Sequence, residues 1–299
     1  MNRVFVIGNG FDLDLGLKTR YIDFWRSEEF NKNRPNTYSG LIPYLENKAN
    51  DKSSWFDIEA LIGQYVEQPK TGLSRYHSKD EAQEDERQFN IIRDSLAEYL
   101  VNEVKTCTLN DKSCAANVLR AMIATGIYSI YSFNYTDLHS IAEKLLITSP
   151  FDYTDVHGRS ADKSLILGID DGKEVYDNYD FAYKTYSPYY HSVPLKFDLE
   201  DAHEVIIFGL SMGDIDYPYF QDFFRQICMP TNKRSQAKRV TIFTYNEASR
   251  IDILRQLRAM NDKRVNYMFG QNEFSFIRTS VEEDKPKFTN FLRHLLVLP

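Results

Sequence analysis

Residues 4–24 read VFVIGNGFDLDLGLKTRYIDF and indicate how the chain begins to fold. The run over residues 3–8 is short, apolar and partly β-branched, and a glycine ends it. Such a run is typical of a strand buried on both faces of a parallel sheet. Because Gly8 and Gly10 lead into a helical pattern, the backbone is expected to turn tightly and offer N–H groups to a phosphate. The alternative is that the glycines only form a tight exit from the strand.

Five further runs predict strands, and helical patterns separate many of them. They lie at residues 127–133, 164–169, 204–209, 239–245 and 265–269. This alternation predicts an α/β fold with a doubly wound, mostly parallel sheet. We expect a single domain over residues 1–299, with a helical insertion at about residues 25–125.

Other segments carry weaker or different patterns. Apolar residues at helical spacing predict helices around residues 251–260 and 288–295. The stretch 176–190, YDNYDFAYKTYSPYY, holds six tyrosines without apolar periodicity, and it predicts a long loop or lid.

Composition limits the class of protein. The chain has 299 residues, 42% of them hydrophobic, which is enough for a substantial core, and its net charge of -7 argues against broad binding of nucleic acid. Its start does not resemble a secretory signal, and no run approaches the roughly 20 apolar residues that span a bilayer. Three cysteines without a C-x-x-C pair predict a reducing cytoplasm and no thiolate metal site.

Polar residues stand where several predicted strands end. Asn134 follows one strand, His157 lies in a second such place, and Ser211 closes a third. Since carboxyl ends of parallel strands share one edge of a sheet, these residues and the glycine turn are expected to converge on one crevice. The structural alternatives are a helix cap at Asn134, a turn histidine at His157 and a helix cap at Ser211.

These segments resemble known families. GNGFDLDLGLKT has the glycine spacing of the first motif of the sirtuins and sirtuin-like NAD-cleaving domains, and FNYT, VHG and GLSM resemble their later motifs in the same order. The resemblance is closer to the abortive-infection AbiH family of antiphage proteins. It rests on IGNGFDLDLGLKTRYIDF, WFDIE, SFNYTD, VHG and FGLSMGDIDYPYF, spread over residues 7–220.

The resemblance implies a Rossmann-like, sirtuin-like fold and an antiphage protein that binds NAD as a ligand or hydrolyses it, releasing nicotinamide without a metal. Asn134 would hold the ribose hydroxyls or a water, and His157 would act as the base. The cofactor-binding residues that it implies are Gly8, Asn9, Gly10, Phe11, Asp12, Thr19, Ser211 and Asp214.

Three positions depart from the sirtuin pattern. Asp12 replaces a serine, Lys18 replaces a proline, and Thr136 stands where an aspartate is expected, with Asp137 one step later. The chain also lacks the four cysteines of the zinc module of deacetylating sirtuins, which argues against protein deacetylation.

Two other classes of function stay open at this point. A non-catalytic module could bind a nucleotide or sense phage through the tyrosine-rich stretch, and a phage-derived trigger or a second copy of the chain are partners compatible with this class. Alternatively, GLSMG matches G-x-S-x-G, the nucleophile elbow of serine hydrolases, with Ser211 as nucleophile and His294 as the only histidine downstream.

Overall fold

The computed structural model describes residues 2–51, 56–68, 78–213, 215–229 and 237–297. Within them the sheet contains β1 (Asn2–Ile7), β2 (Ser129–Ser132), β3 (Thr154–Asp155), β4 (Ala202–Phe208), β5 (Arg239–Thr244) and β6 (Glu273–Arg278). Their spatial order is β3-β2-β1-β4-β5-β6, and every neighbouring pair is parallel.

The helices of the described residues lie between and around these strands. They are α1 (Asn9–Asp14), α2 (Tyr21–Trp25), α3 (Glu28–Asn33), α4 (Leu41–Ala49), α5 (Ile58–Val66), α6 (Lys79–Thr106), α7 (Cys114–Thr125), α8 (Leu138–Lys144), α9 (Leu195–Asp201), α10 (Tyr217–Gln226), α11 (Glu247–Met260), α12 (Val265–Gln271) and α13 (Lys285–Val297). Short 3₁₀ helices cover Asp180–Ala182, Lys184–Tyr186 and Glu282–Asp284. None of the helices in these ranges is long and apolar enough to cross a bilayer.

Both faces of the sheet are covered, because successive side chains of a strand point to opposite faces. In β1, Phe5 and Ile7 pack with residues of α7, α8 and α13, whereas Val4 and Val6 pack with residues of α9, α10, α11 and α12. The doubly wound parallel sheet predicted from the sequence is therefore confirmed.

The helices between β1 and β2 divide into two groups. Those from α2 to α6 build a core of their own around residues such as Phe24, Phe30 and Leu96, and this core also takes in Tyr135 from the loop after β2. Helices α1 and α7 instead pack on the sheet. The helical block therefore meets the sheet next to the carboxyl end of β2.

Four of the six strand predictions are confirmed, and two are wrong. Residues 164–169 are buried but make only an isolated bridge between Ile169 and Tyr183, and the strand beside β2 is β3. Residues 265–269 begin α12, and β6 follows it. Short apolar runs do not distinguish a strand from a buried helix, which explains the second error.

The tyrosine-rich stretch folds back on the protein. It contains the two 3₁₀ helices Asp180–Ala182 and Lys184–Tyr186, and Tyr179 belongs to the core of the helical block. The helices predicted around residues 251–260 and 288–295 are present as α11 and α13.

Candidate functional site

The glycine turn after β1 packs directly against the turn after β4. Gly10 N donates to the carbonyl of Gly209 at 2.8 Å, and a Cβ on Gly10 would lie 2.6 Å from Gly209 Cα. Gly209 itself has a left-handed φ of +66°, which favours glycine. The two turns therefore touch at the point between β1 and β4 where the strand order reverses.

This packing uses amides that were expected to face a phosphate. Besides Gly10 N, Phe11 N donates to Gly8 O at 2.9 Å. Thr19 Oγ1 donates to Asn9 Oδ1 at 2.5 Å, so this pair of predicted binding residues fastens the turn to the chain beyond α1. A Cβ on Gly8 would likewise lie 2.5 Å from Leu210 Cα, so packing alone accounts for both Gly8 and Gly10.

A buried polar group lies beneath this turn. Asn134 Nδ2 donates to Asp12 Oδ1 at 2.8 Å and to Gly8 O at 3.1 Å, while Thr136 Oγ1 donates to Asp12 Oδ2 at 2.8 Å. Asp12 is 1% exposed and Asn134 is 7% exposed. Asp12 therefore holds the amide of Asn134 in place, and Asp12, Asn134 and Thr136 form one hydrogen-bonded network.

The orientation of Asn134 follows from these bonds. Both amide hydrogens are used, and no donor among the described residues reaches its Oδ1, which is left as the atom able to accept a hydrogen bond. Helix α8 is capped by Asp137, whose side chain accepts from Ser140 N. The alternative in which Asn134 caps that helix is therefore wrong.

Asp12 should make stability depend on pH. Burial raises its pKa from 3.8 to about 7, against the lowering effect of the bonds from Thr136 and Asn134. A raised pKa means that the folded state holds the proton more tightly, so the contribution of Asp12 to stability is fully present below about pH 4 and is lost as the pH rises through about 7.

We expect Asp12→Asn, which keeps the shape of the side chain, to remove this contribution. The difference between the free energies of unfolding at pH 5 and at pH 8, measured with urea, should shrink by about 2 kcal/mol. Equal pH dependence in the two proteins would contradict the raised pKa.

His157 lies at the carboxyl end of β3, close to the residues that flank Asn134. Its ring contacts the rings of Phe133 and Tyr135 at centroid distances of 5.3 and 6.3 Å, and its Nε2 lies 3.4 Å from Asp216 Oδ1. Burial, followed by the charge of Lys184, lowers the pKa of His157 despite Asp216. The imidazole is therefore neutral at pH 7, with Asp216 positioned to accept from Nε2.

A second buried charge cluster adjoins His157. The Glu59 carboxylate, on α5, accepts from Tyr21 Oη at 3.0 Å and Tyr135 Oη at 3.1 Å, and Lys184 Nζ lies 3.0 Å from Glu59 Oε1. Burial acts to raise the pKa of Glu59, but the positive charge of Lys184 and the hydrogen bond from the hydroxyl of Tyr21 outweigh this effect. The pKa of Glu59 is therefore lowered. Glu59 is therefore ionised and joins the helical block to the sheet.

Lys184 and His157 line one cavity of about 170 Å³. Its other walls are formed by the apolar and aromatic residues Ile169, Ile215, Pro218, Tyr219 and Tyr190 and by the polar residues Thr185, Asp170 and Lys196. Lys184 Nζ is buried and pairs with the Glu59 carboxylate, and the part of the chain that the structure describes offers it no further hydrogen-bond partner. The cavity thus contains a neutral base and a buried cation at the carboxyl edge of the sheet.

Of the other predicted residues that the structure describes, none lines this cavity. Ser211 is exposed and precedes α10 by several residues, so it neither caps that helix nor opens one as an elbow serine should. Asp214, and Trp55 of the WFDIE stretch, lie outside the described residues.

The serine hydrolase alternative is wrong on geometry. His294 Nε2 lies 3.2 Å from Glu204 Oε1, near the amino end of β4, whereas Ser211 follows the carboxyl end of the same strand. At about 3.3 Å per strand residue, the two ends are too far apart for a nucleophile and its base.

Comparison with known proteins gives one match. A family model described as bacteriophage abortive infection AbiH matches residues 4–235. The chain belongs to the AbiH family. Membership indicates a role in abortive infection against phage. No curated protein and no solved structure matches the chain.

In this AbiH protein, several site residues escaped the sequence analysis. Glu59 and Asp216 lie inside stretches that carry the family resemblance, WFDIE and FGLSMGDIDYPYF, so that resemblance was the available signal. Lys184 lies in the tyrosine-rich stretch and had no such signal. Within the described ranges, no group of three or more His, Cys, Asp or Glu side chains could hold a metal ion.

Proposed function

We propose that this AbiH protein acts in abortive infection by binding NAD at the carboxyl edge of its sheet and hydrolysing the bond between nicotinamide and ribose. The observation that carries the proposal is the order β3-β2-β1-β4-β5-β6, combined with Asn134 and His157 at the carboxyl ends of neighbouring strands. In sheets of this order, dinucleotides bind outside the carboxyl ends, where the strand order reverses.

His157 supplies the base in this proposal. With Asp216 accepting from Nε2, the lone pair of the neutral ring is on Nδ1, which makes no hydrogen bond to the described residues. As water attacks C1′ of the ribose, Nδ1 takes its proton, the water oxygen bonds to carbon, and the C–N electrons leave with nicotinamide. The leaving group departs neutral, so no strong acid is needed.

Asn134 has a complementary role. Its Oδ1 can accept a hydrogen bond from a ribose hydroxyl or from the attacking water, and Asp12 keeps the amide from rotating. Positive charge develops on the ribose in the transition state, and prearranged polar groups stabilise such charge most strongly when water is excluded. The burial of Asn134 and His157 supports this role.

The size of the cavity indicates how the ligand would be arranged. A volume of about 170 Å³ is below the roughly 300–1,000 Å³ of pockets that enclose a whole drug-sized ligand. We therefore expect one end of the dinucleotide to enter beside His157 and the remainder to lie outside it. The occupied amides at Gly10 and Phe11 favour phosphate contacts elsewhere along this edge.

The proposal is tested by following NAD during infection, so that any phage-derived trigger is present. Cells carrying the native protein should lose NAD and accumulate nicotinamide and ADP-ribose after phage addition. Cells carrying Asn134→Ala should lose NAD at least about 10-fold more slowly, because a positioned polar group is missing.

Asn290→Ala is the matched control, since Asn290 is exposed on α13. Unchanged NAD in infected cells that the native protein still protects would refute hydrolysis. Tight NAD binding by the purified protein in that case would instead support the non-catalytic module.

A further inference from the structure

A second cavity lies outside the proposed site. It has a volume of about 440 Å³ and runs between α6 and residues 178–188. This volume is within the range of pockets that bind small molecules. We call it the α6 cavity.

One side of the α6 cavity is aromatic and aliphatic. Phe89 and Phe181 contact each other at a ring-centroid distance of 5.5 Å, and Leu165 and Leu167 complete this surface. Tyr186 lines the same cavity but is 64% exposed. An exposed ring beside a buried apolar surface offers a stacking position for a flat group.

The other side carries hydrogen-bonding groups. Gln83 and Asn90 are seven residues apart on α6, which places them two turns apart on one face of the helix. Neither amide hydrogen-bonds another group of the described residues. Each amide has both donors and an acceptor, so together they can recognise the polar edge of a heterocycle.

The formal charges of the residues that line the cavity cancel. Lys79 and Arg93 line it together with Glu86 and Asp180. Such a balanced set does not favour a polyphosphate, whose several negative charges would need an excess of cations.

We propose that the α6 cavity is a second ligand site and that it binds an uncharged nucleoside, with the base against Tyr186 and its polar edge towards Gln83 and Asn90. The site shares a wall with the His157 cavity. Tyr186 lines one cavity and Lys184 and Thr185 line the other, and all three belong to the single 3₁₀ helix Lys184–Tyr186. Binding of a nucleoside in the α6 cavity does not rest on the proposed function.

Binding is measured by calorimetric titration of the purified protein with adenosine, guanosine, cytidine and uridine. At least one should bind saturably, and Tyr186→Ala should weaken it about 10-fold, as loss of a base-stacking ring does. The matched control is Tyr189→Ala, since Tyr189 is exposed in the same stretch but lines neither cavity. His157→Ala should bind the nucleoside like the native protein.

Several outcomes would overturn the assignment. These are no saturable binding of any of the four nucleosides, equal binding by Tyr186→Ala, or binding of the corresponding monophosphate more than about 10-fold tighter, which would indicate an anion site. Because this titration requires no turnover of NAD, it can fail while the proposed hydrolysis stands, and it can succeed if hydrolysis fails.

Discussion

His157→Ala is expected to lower the rate of nicotinamide release from NAD by roughly 10²- to 10⁴-fold, the usual contribution of a positioned acid or base. His157 is 5% exposed, and its lowered pKa keeps the ring neutral and able to accept a proton at pH 7. Removing it leaves water without a base in the cavity. Release of nicotinamide in infected cells, compared at equal protein levels, measures the effect.

The pH dependence of nicotinamide release tests the role of His157 independently. Protonation of His157 abolishes its role as base, and burial places its pKa below the ordinary 6.5. The acidic limb of the rate profile should therefore lie below pH 6.5. His203→Ala is the matched control, because His203 is exposed near the amino end of β4. If His157→Ala and His203→Ala lowered the rate of nicotinamide release equally, that result would contradict a catalytic role for His157.

Lys184→Met is expected to lower the free energy of unfolding by about 3–5 kcal/mol, because it leaves the buried Glu59 carboxylate without its cation. Lys184 is 7% exposed and Glu59 is 8% exposed, so the unpaired carboxylate would stay largely shielded from bulk water. Glu59→Gln should also lower the free energy of unfolding, because it leaves the buried ammonium of Lys184 without its carboxylate. Urea unfolding of each variant at pH 7 measures both effects.

The double variant separates an ion pair from independent packing effects. Glu59→Gln combined with Lys184→Met removes both charges, and it should be clearly more stable than the sum of the single losses predicts. The exposed pair of Arg255 and Asp252 is the matched control, for which little coupling is expected. Strict additivity at Glu59 and Lys184 would show that the pair contributes nothing as a pair.

Several features of the candidate site could be anticipated from the sequence. A buried strand pattern and the motif order indicate a strand end at Asn134, and the motif order alone indicates a related position for His157. The structure brings the two segments together through Phe133 and Tyr135. The close contact of Gly10 with Gly209 could not be anticipated, because the two glycines lie on turns that meet only after β1 and β4 pair. For the same reason, the support of Asn134 by Asp12 was not foreseen.

The sequence by itself determined the doubly wound sheet, since buried strands, glycine turns and amphipathic helices leave patterns within a few neighbouring residues. It also determined the AbiH family, through motifs in a fixed order. Only the tertiary structure decided that Lys184, from the tyrosine-rich stretch, meets Glu59 of the helical block beside His157. The physical reason is that a buried charge depends on partners brought from distant parts of the chain, and local patterns of hydrophobicity do not encode those partners.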